Sequence, residues 1–234
     1  MFLSHYIYKI LTMSKNHLLN EGYQQNGKIF DKAKGTYIFC KNKKYLDLTC
    51  CSGTLILGHN SKIFQNSLIK IKQNNISNTA SLNEQAVAFS KNLKKNIKNF
   101  SKFIMCNSGT EAVTKALRIC RAVTKKKLII SVGGSWHGSA DETLYVRQNK
   151  KIIPLSAGLN SLKNNIKFVP YNNIEKTKKT LDMHKNKIMC ILIEPIQAGL
   201  PVENAKKFLK FLHKYAVKNN IILFFDEMIT GLRT

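Results

Sequence analysis

The sequence predicts an α/β protein with a mainly parallel sheet and helices on both faces. Three observations carry this. From residue 103 onward, short apolar runs (FIMC, LIIS, IKFVPY, IMCILI, IILFF) alternate with helical or loop stretches, and strands buried on both faces read as continuous apolar runs. The last unit makes a complete crossover. Residues 188–193 read as a strand, roughly 204–219 as a helix with Phe208, Leu212 and Tyr215 on one face, and 221–225 as the returning strand. Polar residues also gather just after the runs, where an open parallel sheet binds its ligands.

The elements follow in order. Residues 35–48, GTYIFCKNKKYLDL, read as two short strands around a Lys-rich turn. Residues 61–74 form a helix with Ile63, Phe64, Leu68 and Ile71 on one face, and residues 83–97 form another with Asn83 as its cap. FIMC, residues 103–106, reads as the first strand of the repeating pattern. A helix then starts near Thr110, because Val113, Ala116, Leu117 and Cys120 recur at helical spacing. Residues 1–60 are expected to contribute to a small domain and residues 61–234 to begin a larger cofactor-binding domain. Met13 is an alternative start to Met1.

The 234 residues carry 38 basic and 13 acidic side chains, a net charge of +25. Such a charge suits nucleic acid or an anionic membrane. Only Arg118, Arg121, Arg147 and Arg233 are arginines, however, and bidentate base contacts favour Arg. The expectation is a solvated Lys-rich surface and no specific nucleic-acid partner; steep salt dependence without cofactor absorbance would reverse it. No stretch approaches the roughly 20 apolar residues of a membrane span. The six cysteines make no C-x-x-C pair and have no His at zinc-finger spacing. Free thiols in a reducing cytoplasm and no metal are expected.

Four polar clusters fall along one expected sheet edge: residues 107–110, residues 133–138, Glu194 and Asp226. Ser108, Gly109 and Thr110 open a helix whose first amides lack internal partners, an arrangement that holds phosphate. Ser108 and Glu111 equally make an ordinary capping box. Asp226 at a buried strand tip needs a partner. It fits either a cap or ion pair, or a protonated ring nitrogen that serves as an electron sink. Trp136, the only tryptophan, lies among glycines and suits stacking on a planar ligand. Met228 suits a ring face or core filling. His137 suits acid–base work or structural hydrogen bonding. Glu194 suits a cofactor edge or an ion pair.

The stretches NSGTEAVTKALRICRAVT, GSWHGSAD, EPIQAG and FFDEMITGLRT together resemble the class III aminotransferases, pyridoxal-phosphate enzymes of fold type I. GTYIFCKNKKYLDL and LGHN extend the resemblance to about residues 35–234. The glutamate-1-semialdehyde 2,1-aminomutase branch is the most similar. The resemblance implies that Ser108, Gly109 and Thr110 hold the cofactor phosphate. Trp136 and Met228 would cover the two ring faces, with His137 beside them; Asp226 would bind the ring nitrogen, and Glu194 would lie on the hydroxyl side. It further implies a small amino acid or amino aldehyde substrate and a homodimer. Trp136 stands where the family usually has Tyr or Phe. Ser61 replaces a Pro. Ala198, Gly199 and Leu200 replace a loop that often carries a second Glu, which leans toward the aminomutase. The family's Schiff-base lysine lies beyond the Asp strand, and residues 227–234 contain no Lys. An N-terminal portion, inactive by itself, is therefore expected, with a non-catalytic remnant as the alternative.

Overall fold

The computed structural model describes residues 28–74, 82–156, 158–199 and 205–233. The proposed Met13 start, Leu200 and residue 204, where the last helix was expected to begin, fall outside them. The described residues fall into two compact units, one up to residue 74 and one from residue 82 onward.

In the first unit, β1 (Lys32–Lys34), β2 (Tyr37–Cys40) and β3 (Lys43–Leu46) make an antiparallel sheet in that order. Lys41 and Asn42 both have positive φ, so a two-residue turn closes the β2–β3 hairpin. Past β3, Asp47 organises the chain. One carboxylate oxygen accepts the Thr49 and Cys50 N–H groups and the Thr49 hydroxyl, and the other lies 2.9 Å from His59 Nε2. These partners, the Thr49 hydroxyl and His59 foremost, hold the Asp47 carboxyl well below the ordinary 3.8. Helix α1 (Lys62–Asn74) follows, with Ile63, Phe64, Leu68 and Ile71 all exposed.

The second unit begins with α2 (Glu84–Asn96), where the Asn83 side chain accepts the Ala86 N–H as a cap. Residues 103–106 do not become the expected strand. They have no regular secondary structure, and Ile104 and Met105 are exposed. An apolar run becomes a strand only where a neighbour pairs with its backbone, and among the described residues none does so here. Helix α3 (Gly109–Thr124) comes next, followed by β4 (Leu128–Val132). A hairpin of β5 (Tyr145–Gln148) and β6 (Lys151–Pro154), unforeseen in the sequence, and a 3₁₀ turn lead to β7 (Ile166–Val169). Then come α4 (Ile174–His184), β8 (Ile188–Ile193), α5 (Lys206–Lys218) and β9 (Ile222–Phe225).

The main sheet runs β7-β4-β8-β9, and every pairing is parallel. All residues of β4 and β8 are buried, as continuous apolar runs require. Successive side chains alternate between faces. Ile130, Val132, Ile191 and Ile193 pack with Leu181, Phe208 and Leu212 of α4 and α5. Ile129, Cys190 and Leu192 pack with Val113, Leu117 and Cys120 of α3. The expected crossover from β8 through α5 to β9 is present. From β4 the chain passes to β7 on one side, then returns to β8 on the other. Strand order therefore reverses between β4 and β8, the switch point beyond whose strand ends open α/β sheets bind their ligands.

Candidate functional site

Three of the four expected clusters leave the carboxyl ends of β4, β8 and β9; the fourth opens α3 after the unpaired segment 103–106. The loop after β4 and the end of β8 meet at the switch point, where the Trp136 N–H donates to Glu194 Oε2 at 3.1 Å. The Trp136 indole itself is 55% exposed, so an aromatic surface is open to a ligand. Glu194 is buried, and that burial raises its pKa above the ordinary 4.5. The nearby Asp226 charge adds to the rise, while the Trp136 N–H, His137 and the Ala198 N–H oppose it.

One residue beyond Trp136, His137 is buried with Nδ1 2.8 Å from Asp226 Oδ2. A carboxylate only accepts, so Nδ1 carries the proton. His137 Nε2 is buried without a hydrogen-bond partner. Asp226, also buried, takes the Met228 N–H on its other oxygen at 3.2 Å. The aspartate at the strand tip thus has one side chain and one backbone group fixing its orientation.

The start of α3 is held against these loops. Ser108 caps it by accepting the Glu111 N–H, and Glu111 reaches back to the Asn107 N–H at 2.7 Å. The Ser108 cap expected of this stretch is therefore present, but the return bond goes to the residue before the cap, so the capping box is only half formed. It leaves the Ser108 O–H and the first amides of the helix able to donate to an anion. Thr110 Oγ1 accepts the Ser139 N–H at 3.1 Å. Gly138 has φ +76°, and a Cβ there would sit 2.6 Å from that same oxygen, so only glycine lets the loop pass so close. Met228 packs on Gly109: a Cβ at Gly109 would meet its Cε at 3.1 Å. Ser108, Gly109, Thr110, Trp136, His137, Glu194, Asp226 and Met228 are thereby drawn into one constellation by direct contacts or adjacency.

Two participants carried no role in the sequence reading. Gln197 is buried, and its Nε2 donates to the Gly133 carbonyl at 2.8 Å and to Ser135 Oγ at 2.9 Å. It pins the glycine-rich loop on which Trp136 and His137 stand. Its place in EPIQAG, two residues after Pro195, was the available signal. Tyr171, just past β7, donates to the Pro195 carbonyl at 2.7 Å. Its position at the same sheet edge was the only hint.

The chain's fit to pyridoxal phosphate can be judged from these residues. A buried carboxylate at the sheet edge suits a protonated ring nitrogen, an exposed indole suits a planar ring, and a helix start bearing a hydroxyl suits a phosphate. The donor set fits the group. Among the described residues no His, Cys, Asp or Glu cluster could hold a metal ion, and no helix is long and apolar enough to cross a membrane.

Comparison with known proteins agrees. The family profile "Aminotransferase class-III" matches residues 19–234. Glutamate-1-semialdehyde 2,1-aminomutase of Wigglesworthia glossinidia brevipalpis is 36% identical over 217 residues, covering 88% of this chain and 49% of that protein. The chain spans about half the length of the curated relatives it matches. An omega-transaminase of Sphaerobacter thermophilus superposes with TM-score 0.81 at 21% identity, over 95% of this chain and 54% of its own. A transaminase with PLP bound gives TM-score 0.78 at 21% identity, over 97% and 55%. Structural likeness at that identity establishes the fold, the fold type I architecture expected from the sequence. The profile match over nearly the whole chain establishes more: this chain belongs to the class III aminotransferases.

Proposed function

We propose that the chain forms the phosphate cup and ring clamp of a pyridoxal-phosphate enzyme that transfers an amino group on a small amino acid or amino aldehyde. The observation that carries this reading is the buried Asp226, oriented by His137 at the tip of β9. The cofactor, when bound, supplies an electron sink for the bonds broken at the amine-bearing carbon. Asp226 would keep the ring nitrogen protonated. His137, donating from Nδ1, would keep Asp226 aimed. Trp136 and Met228 would cover the ring faces, and Ser108, Gly109 and Thr110 would hold the phosphate through hydroxyls and helix-start amides. Glu194, bound to the Trp136 N–H, would fix the β4 loop and lie toward the ring's hydroxyl side.

The aminomutase branch is favoured by the Ala198–Gly199 loop and by the curated relatives of that name. It moves an amine between adjacent carbons and needs no external acceptor. A transaminase is the second reading, favoured by the fold match to an omega-transaminase. We place the protein in the cytoplasm, as a homodimer. Residues 227–234 contain no lysine, and no other lysine of the chain is assigned the covalent role, so residues 1–234 alone are proposed to bind the cofactor reversibly without turnover. The test is titration of these residues with pyridoxal phosphate, followed by absorbance and by quenching of the single tryptophan. Saturable quenching that Asp226→Ala abolishes is expected. Quenching that persists unchanged in that variant would overturn the assignment. In a longer chain, turnover of an amino aldehyde without added 2-oxo acid identifies the mutase, and dependence on the acid identifies the transaminase.

A further inference from the structure

A groove of about 610 Å³ runs between α4 and α5, and no part of the proposed reaction uses it. Six exposed lysines line it: Lys178 and Lys185 from the α4 side, and Lys207, Lys210, Lys214 and Lys218 from α5. The carboxylate lining it, Asp182, is already engaged, taking hydrogen bonds from Lys178 Nζ at 2.8 Å and the Tyr215 hydroxyl at 2.7 Å. The α5 lysines recur every three or four residues, which places them about 4.5–6 Å apart along the helix axis. Their shared face follows from amphipathicity, since Phe208, Leu212 and Ala216 occupy the opposite, buried face. Among the described residues, five of these six cations have no carboxylate partner in the groove.

We propose that this groove binds the backbone of a single-stranded nucleic acid without sequence preference. The four α5 lysines run from Lys207 to Lys218, about 16 Å along the helix axis at 1.5 Å per residue, which suits an extended polyanion rather than a single anion. No arginine lines it, so it has no planar fork for gripping carboxylates in pairs or reading base edges, whereas ammonium groups serve phosphates as point charges. The half-buried ring of Phe211 also lines the groove and offers a stacking face for a base. A concave groove suits a strand better than the flat plane of a bilayer.

The test is anisotropy of a labelled oligouridylate RNA against the chain between about 50 and 200 mM salt. Lys178 is held by Asp182, so the five other lysines predict a log–log slope of about −3.5, at about 0.7 per phosphate on a single strand. The triple variant Lys207→Gln, Lys210→Gln, Lys214→Gln should lose about 2 from the magnitude of that slope, together with most of the low-salt affinity. Lys62→Gln, Lys70→Gln, Lys72→Gln on α1 removes the same charge and should leave the slope in place. Equal losses in both triples would mean diffuse net charge, and the proposal falls. It also falls if a polyglutamate peptide or phosphatidylserine vesicles bind the groove more tightly than RNA. Should the groove triple misfold by circular dichroism, Lys214→Gln alone should still reduce the slope by about 0.7, and an unchanged slope there would overturn the proposal. Cofactor quenching should be unaffected in every variant, so failure here is separate from failure of the enzymatic reading.

Discussion

Asp226 and Glu194 are two buried carboxylates on one sheet edge, and their surroundings give them different tasks. Asp226 has a charged-capable partner in His137 at 2.8 Å, whereas Glu194 has backbone donors and a pKa raised chiefly by burial. Asp226→Ala would leave the buried His137 Nδ1–H without its acceptor, which should cost about 1–3 kcal/mol of stability, with urea denaturation as the check. Glu194 yields a pH prediction. Its folded-state pKa lies above the ordinary 4.5, so its favourable contribution is complete below pH 4.5 and is lost as pH rises through the raised value. Urea midpoints measured from pH 4 to 8 should show this decline, and Glu194→Gln should flatten it. The carboxylates, the indole and the helix-start hydroxyls were legible in the sequence because each residue type narrows the chemistry. The His137–Asp226 bond spans 89 positions and was not legible, since no local pattern encodes it.

Loop geometry and capping decide the site's rigidity at the level of elements. Gly134 has φ +92°, and a Cβ there would lie 2.9 Å from Gln197 Oε1. Gly134→Ala should therefore displace the clamp that Gln197 makes on the loop and weaken cofactor binding by titration, with strain of about 1–3 kcal/mol. Truncating Leu117, fully buried between α3 and the sheet, to Ala should cost about 2–5 kcal/mol, readable in denaturant melts. Helices α1, α2, α3 and α5 were readable from periodicity, the four strands of the main sheet from apolar runs and the Asn83 and Ser108 caps from residue type, whereas α4 was not singled out. The segment 103–106 was misread because apolarity marks burial potential, whereas strand formation also needs a neighbouring backbone. The β5–β6 hairpin escaped because its strands, YVRQ and KIIP, are only four residues long and its turn residues, Asn149 and Lys150, are not a strong turn pair.

For the whole molecule, charge and exposed apolar surface set the behaviour in solution. A net charge of +25 disfavours compactness through self-repulsion, and salt screens it over about 10 Å at 0.1 M. Raising the ionic strength from about 10 to 150 mM should raise the thermal midpoint, measured by scanning calorimetry. Acid acts in the opposite sense on the first unit. Asp47, held well below its ordinary 3.8, contributes stability above that value and loses it as pH falls through the lowered one. Asp47→Asn should remove about 1.5–3 kcal/mol and blunt the acid transition followed by circular dichroism.

The sequence by itself determined the α/β class, the crossover order and the residue types of the site. These follow from local periodicity and from the rule that parallel sheets present their strand ends to ligands. It also carried the family, through four motifs in order. Only the tertiary structure decided which strands pair, that the order reverses between β4 and β8, and that His137 orients Asp226 while Gln197 pins the Trp136 loop. It also gathered the α4 and α5 lysines into one groove. Those outcomes depend on backbone hydrogen bonds and side-chain contacts between residues tens of positions apart, and packing selects them after the local elements exist.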